Sequence, residues 1–291
     1  MDGLAGEHPV VVLRHPARTV RIGDALRARG MTVHALPLTD TELPADPAAV
    51  ARALQDLGQG RYAWLVVTSA NAVQSLGMIA GAEGASLAGL VHRGGVRVAA
   101  VGAATARTLA EAGVVVDLVP EEASSAGLLT AFPGGPAAVL LPQADLAPDD
   151  LRAGLTASGH AVHRVEAYRT VPFPAHPARR VPGVEENGPR PPVLSLRDLV
   201  RRAAGGVQPA VVFPAPSAVR QFHDRLGVGP LSFRAVAIGP TTAAALRSLG
   251  WVPAATAVEP TPEGIARAAL DAFARDDAPS SHAAPSNGDT P

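Results

Sequence analysis

Short apolar runs punctuate the chain, and most are followed by a stretch in which apolar positions recur every three or four residues. The runs VVVL (10–13), WLVV (64–67), VRVAAV (96–101), AVLL (138–141), AVVF (210–213) and RAVAI (234–238) are apolar at nearly every position. A strand with one wet face alternates, so continuous runs of four to six predict strands covered on both faces, as in a parallel sheet. The intervening segments have the helical period. Gly30, Gly113, Gly159 and Gly250 each close such a segment just before a new β run, where a left-handed helix C-cap favours glycine.

The pattern repeats. Residues 10–38, VVVLRHPARTVRIGDALRARGMTVHALPL, align with 138–168, AVLLPQADLAPDDLRAGLTASGHAVHRVEAY, matching Leu26 with Leu155, Gly30 with Gly159 and His34 with His163. A second kind of unit starts at YAWLVVTSANAVQSL (62–76) and runs on through 96–120. Its partner starts at QPAVVFPAPSAVRQF (208–222) and runs on through 233–258. Here Gly102 matches Gly239, Thr105 matches Thr242 and Gly113 matches Gly250. The order first, second, first, second predicts two doubly wound α/β domains of about five strands each. A tandem pairing of the units and a crossed one, with the chain ends sharing a domain, both fit. Residues 35–42 and 166–173 are extended connectors at equivalent places. Residues 174–192, rich in Pro and Gly, read as a flexible surface excursion, and 273–291 as a disordered tail.

Composition narrows the chemistry. Aromatics are 3% of the 291 residues, too few for base-stacking nucleic-acid modules, and predict a core of Ala, Val and Leu. A net charge of −1 provides no field toward polyanions or membranes. Cysteine is absent and all 25 basic residues are arginine, which excludes thiol nucleophiles, thiolate metal sites, Schiff bases and lysine-dependent phosphate loops. The first ten residues lack a signal-peptide pattern, and no apolar run reaches the roughly 20 residues of a membrane span. The expectation is a cytoplasmic protein that binds neither nucleic acid nor membrane.

Doubly wound sheets bind ligands at the carboxyl ends of their strands, beside helix N-termini that favour carboxylate or phosphate. That edge takes in TSAN (68–71), GAAT (102–105), PAPS (214–217) and GPTT (239–242), hence Thr68, Ser69, Asn71, Gly102, Thr105, Ser217, Gly239, Thr241 and Thr242. Each site alone is explained by helix capping through Ser69, Asn71, Thr105, Ser217 or Thr242; four equivalent edges favour a shared, anion-rich ligand. Arg14, directly after the first strand, reads either as a carboxylate clamp or as a solvated charge. Tyr168, one of two tyrosines, lies on an extended connector and reads either as a proton donor or as a half-buried ribbon residue. His34 and His163 read as structural, and no third ligand suggests a metal. Asp145, Asp149 and Asp150 read as charges at a helix start.

These motifs resemble the uroporphyrinogen-III synthase family over roughly residues 10–270. LRHP, VVTSANAV, AAVGAATARTLAEAG, VLLPQADLAPDDLRAGLTASGHAV, VEAYRT, AIGPTTAAALRSLG and EPTPEGIARAAL carry the resemblance by their order and spacing. It implies two flavodoxin-like domains with parallel sheets, joined by a two-stranded antiparallel ladder in the crossed arrangement: residues 1–38 with 174–272, residues 43–165, and a ladder of 35–42 with 166–173. It also implies a lyase that dehydrates and cyclises hydroxymethylbilane with inversion of ring D, in haem biosynthesis. The implied protein is a monomer with no metal and no organic cofactor, meeting hydroxymethylbilane synthase transiently. By similarity Tyr168 is the catalytic acid, and the edge residues, with Arg14, bind the substrate's carboxylates. Pro214-Ala215 departs from the Thr-Ser pair of many relatives, and 174–192 is longer than the usual connection. The remaining alternative is a non-catalytic two-domain binder of a small polycarboxylate, which needs the same edges but no acid.

Overall fold

The computed structural model describes residues 8–183, 185–206, 208–226 and 231–274. Along the chain it begins with β1 (Pro9–Val12), α1 (Val20–Arg27), β2 (Thr32–Ala35), β3 (Thr39–Glu42), α2 (Pro47–Gly58), β4 (Trp64–Val67), α3 (Ala70–Ala82), α4 (Leu87–Gly94), β5 (Arg97–Ala100) and α5 (Ala103–Glu111). There follow α6 (Ser125–Ala131), β6 (Ala138–Ala144), α7 (Asp150–Ala157), β7 (Ala161–Pro172), α8 (Leu196–Ala204), β8 (Ala210–Phe213) and α9 (Pro216–Leu226). The last elements are β9 (Arg234–Ala237), α10 (Pro240–Ser248), β10 (Pro253–Thr256) and α11 (Pro262–Ala274).

The chain divides into two compact units, one drawing its described residues from 8–38 and 185–274, the other from 39–183. In the first unit five parallel strands run in the order β10-β9-β8-β1-β2, so both chain ends share one sheet. In the second the order is β3-β7-β6-β4-β5, parallel except where β3 meets β7. The apolar runs are buried on both faces, and each sheet divides its core into two clusters. Three of these are mostly Ala, Val and Leu. In the fourth, in the first unit, Phe213, Phe222, Phe233 and Trp251 pack ring against ring with centroids 5.4 to 6.1 Å apart.

The repeat is visible in the backbone. Gly30, Gly113, Gly159 and Gly250 have φ of 78°, 77°, 90° and 78°, the left-handed conformation that costs other residues most. His34 pairs with Val11 just as His163 pairs with Leu140. The repeat is also imperfect. The second unit inserts α4, and where the first unit has β10 it has only an Ala99–Leu118 bridge. The Asp117 carboxylate takes the Val98 N–H at 2.7 Å there.

Three boundaries differ from the sequence reading. The antiparallel ladder is Thr39–Glu42 against Arg169–Pro172, rather than 35–42 against 166–173. Ala35 ends β2, Leu36 and Leu38 are buried in the first unit, and Glu166 and Tyr168 pair with β6. Apolar residues were drawn into a core, leaving the polar TDTE for the half-covered ladder. Residues 174–183 belong with the second unit, and the 174–192 segment is tethered rather than a free excursion. The buried Glu42 carboxylate accepts the His176 N–H at 2.7 Å and Arg179 at 2.6 Å. Asp40 accepts the Ala175 N–H at 3.2 Å, and the Val181 N–H bonds the Thr41 carbonyl at 2.9 Å. Further on, the Glu186 N–H bonds the Ala17 carbonyl at 2.7 Å, and the Ala35 N–H bonds the Pro192 carbonyl at 2.9 Å. Composition suggested mobility, but these backbone groups found partners in the fold. Finally, Phe273 and Ala274 complete α11; the rest of the expected tail, 275–291, lies outside the described residues, as do residues 1–7.

Candidate active site

In the second unit β4 delivers the chain to Thr68 and Ser69 at the carboxyl edge of the sheet. Ser69 is extended (φ −154°, ψ 151°), the geometry of an N-cap, and its Oγ accepts the Ala72 N–H at 3.2 Å, starting α3. The same hydroxyl donates to the Tyr168 hydroxyl oxygen at 3.1 Å. Asn71, the second residue of the helix, donates from Nδ2 to the Thr41 hydroxyl of β3 at 3.2 Å.

Tyr168 is aimed by a β-bulge. Gln143 pairs with Glu166 but Ala144 pairs with Tyr168, so Ala167 is an extra residue in β7. Such a bulge re-aims the side chains that follow it. Ala167 is buried, its carbonyl accepts the Ser75 hydroxyl, and both it and Tyr168 pack against one core cluster. The strand is then pinned to the β6 turn: the Asp145 N–H donates to the Tyr168 carbonyl at 3.0 Å, and Asp145 Oδ1 accepts the Thr170 N–H at 3.2 Å. Asp145 thus braces Tyr168 instead of charging a helix start. Asp149 sits at the α7 N-cap without a side-chain cap bond and is held by Arg152 at 2.6 Å.

The hydrogen-bond directions have a chemical meaning. Ser69 uses its oxygen on Ala72 and its proton on the phenol oxygen, so the phenol's own proton is left for another acceptor. A donor on that oxygen also stabilises the negative charge that grows as the proton leaves. Next along the sheet, α5 starts at Gly102, extended at φ −171°, with no side-chain cap, and Thr105 is buried in its first turn.

The first unit repeats this edge without a tyrosine. α10 starts at Gly239, again without a side-chain cap; Thr241 is exposed and Thr242 buried. Asn71, Thr105, Ser217 and Thr242 all lie inside their helices, so of the five expected caps only Ser69 acts as one. Pro216 opens α9, which puts Ser217 one residue in, with its side chain exposed. Arg14 is half-buried after β1, and its guanidinium makes no hydrogen bond or ion pair among the described residues. Burial above all, then the like charge of Arg18, brings it below the ordinary arginine range; Glu186 opposes and Arg21 adds to the effect. Glu186 itself accepts the Arg21 N–H at the start of α1 at 2.9 Å.

His34 is buried in β2; His163 is exposed near the start of β7, on the face of Val165 and Ala167, its Nδ1 2.5 Å from the Tyr62 hydroxyl. Within the described residues no three His, Asp or Glu side chains gather as metal ligands, and no helix is long and apolar enough to cross a membrane. The structure brings Thr68, Ser69, Asn71 and Tyr168 to one edge of the second unit, with Gly102 and Thr105 at the start of α5, after the neighbouring strand β5. Arg14, Ser217, Gly239, Thr241 and Thr242 line the corresponding edge of the first. Sequence reasoning missed Thr41 and the bracing role of Asp145. The polar TDTE run was visible, but a contact with Asn71, 30 residues away, has no local signal.

No curated protein matches the chain significantly. A solved mutant uroporphyrinogen III synthase of the extremely thermophilic bacterium Thermus thermophilus is similar in fold, with a TM-score of 0.60 at 21% identity, over 92% of this chain and 99% of that one. The uroporphyrinogen-III synthetase of Helicobacter pylori 26695 is similar with a TM-score of 0.53 at 19% identity, over 90% of this chain and 98% of that one. The family model described as Uroporphyrinogen-III synthase HemD matches residues 20–267. A match over that much of the 291 residues shows that the chain belongs to the uroporphyrinogen-III synthase family.

Proposed function

We propose that Tyr168 is the proton donor in the reaction of this family: hydroxymethylbilane loses water and closes to uroporphyrinogen III with its last ring inverted. The observation that carries the reading is the Ser69–Tyr168 hydrogen bond at the mouth of the β4–α3 turn, which leaves the phenolic proton free to donate outward. That proton goes to the hydroxymethyl oxygen of the first ring. The C–O bond breaks, water departs, and the pyrrole nitrogen's electron pair leaves an azafulvene. The substituted carbon of ring D attacks it to give a spiro intermediate, which reopens and recloses in the inverted sense. The proton released as the last pyrrole ring regains its aromaticity restores the phenol.

Substrate carboxylates take the uncapped N–H groups at the starts of α5 and α10, near Gly102, Thr105, Gly239, Thr241 and Thr242. Thr68, Asn71 and Ser217 supply further polar contacts, and Arg14 a charged one. Backbone donors suit an octacarboxylate on a chain of net charge −1, because they need no global positive field. The rest of the catalysis is positioning, since the bilane closes unaided to the type I isomer. The same reactivity favours receiving the substrate in a brief encounter with hydroxymethylbilane synthase.

The test is an isomer assay with enzymatically made hydroxymethylbilane, separating the oxidised products by chromatography. Type III product is expected, and type I alone would sink the reading. Tyr168→Phe should lower turnover about 100-fold, the contribution typical of a general acid, with an unchanged melting temperature. Unchanged turnover would move the acid role elsewhere.

A further inference from the structure

The end of β6 and the turn after it carry two side chains that the proposed chemistry does not use. Gln143, near the end of the strand, is 4% exposed, and its Oε1 is buried with no hydrogen bond among the described residues. A buried carboxamide oxygen without a partner costs stability and calls for an explanation. Strand alternation puts Gln143 on the face of Val139 and Leu141. β4 pairs with β6 as Trp64 with Val139 and Leu65 with Leu140; carried on past the end of β4, that register brings Thr68 level with Gln143. The half-buried Thr68 hydroxyl likewise makes no hydrogen bond among the described residues. Thr68 and Gln143 thus end neighbouring strands at this carboxyl edge, Gln143 on the sheet face opposite the cluster that Tyr168 packs against.

Three residues on, Leu146 is 77% exposed. A leucine on a loose loop can fold back onto the protein, but this turn is held from several sides. The Asp145 N–H donates to the Tyr168 carbonyl, Asp145 Oδ1 accepts the Thr170 N–H, and the Ala147 N–H donates to the Ala144 carbonyl at 3.2 Å. Arg164 donates to the carbonyls of Ala144 and Ala147, each at 3.3 Å. The apolar side chain is therefore held in water by a turn bonded directly to the backbone of Tyr168.

We infer that Gln143 and Leu146 hold one pyrrole unit of the bilane, Leu146 against the ring face and Gln143 Oε1 accepting the pyrrole N–H. The inference rests on the placement of the reaction at Tyr168. A pyrrole ring offers an apolar face and one N–H donor and has no acceptor of its own. An aliphatic contact beside an unspent acceptor complements that chemistry, as helix N-termini complement the carboxylates. Because Oε1 is shielded from solvent, the contact is made by rotating the carboxamide about its soft terminal torsion or through one bridging water.

The experiment compares Gln143→Met, Leu146→Ser and Leu146→Met with the wild-type protein in the isomer assay, recording melting temperature, KM and the ratio of type III to type I product. Gln143→Met removes an unsatisfied group and should raise the melting temperature, while KM rises at least fivefold and the type I share grows. Leu146→Ser should leave the melting temperature unchanged and raise KM by a similar factor, with Leu146→Met close to wild type. A more stable Gln143→Met protein with unaltered kinetics would make the amide a packing defect and overturn its part of the inference. Unaltered kinetics in Leu146→Ser would do the same for the leucine. Wild-type protein yielding only type I product would defeat the reading on which both stand, and the inference with it.

Discussion

One serine hydroxyl joins folding to chemistry in this molecule. Ser69 Oγ ends the β4 edge by accepting the Ala72 N–H, and its proton goes to the Tyr168 oxygen. Replacing it with alanine removes both bonds. Loss of the cap costs about 1 kcal/mol, which a melting curve detects. Loss of the donor should lower turnover roughly tenfold beyond that, because the departing proton leaves charge on an oxygen with one partner fewer. Ser69→Thr keeps both bonds and should recover most of the activity. A Ser69→Ala protein that melts lower but turns over normally would reduce the motif to a helix cap. The type of residue at this position was readable from TSAN; its partner, 99 positions away in the chain, was not.

At the scale of elements, β7 changes partners along its length. Its first part runs parallel to β6, the bulge at Ala167 turns it, and Arg169–Pro172 pairs antiparallel with β3. The segment that follows then folds back on β3, where Glu42 grips the His176 N–H and Arg179. Glu42 is 5% exposed, so removing it strands the His176 backbone donor with little water to replace the carboxylate, while the half-exposed Arg179 turns to solvent. Glu42→Ala should cost about 2 kcal/mol or more in denaturant unfolding. It should also speed amide exchange across 175–181 while leaving that of β8 and β9 unchanged. Uniform exchange throughout the chain would show that the clasp is not local. Neither the bulge nor the clasp has a sequence signature. The bulge is a one-residue mismatch between two strands, and the clasp depends on a carboxylate 134 positions from the amide it holds.

Over the whole molecule, stability against acid has an identifiable contributor. Burial first, and then the charge of Arg202, brings the His34 imidazole below its ordinary value, and its Nδ1 is buried without a hydrogen bond. In the unfolded chain the same group takes a proton at about pH 6.5. The folded form is therefore at no disadvantage above that pH, and its stability falls as pH drops from about 6.5 through the lowered folded value. His34→Leu should flatten this part of the stability–pH curve relative to wild type, measured by urea unfolding between about pH 7.5 and 5. An unchanged curve would assign the acid sensitivity to other groups. The sequence by itself determined the two parallel sheets, the glycine caps and the strand-to-helix edges. These follow from local rules: continuous apolar runs need two covered faces, and a left-handed cap needs glycine. Periodicity left the crossed pairing of the first two strands with the last three open, and only the family resemblance implied it; the tertiary structure alone decided that the ladder is 39–42 with 169–172, and that Ser69, Asp145 and a bulge converge on Tyr168. The physical reason is that such pairings depend on contacts between residues tens to more than a hundred positions apart, and neither periodicity nor composition records distance through space.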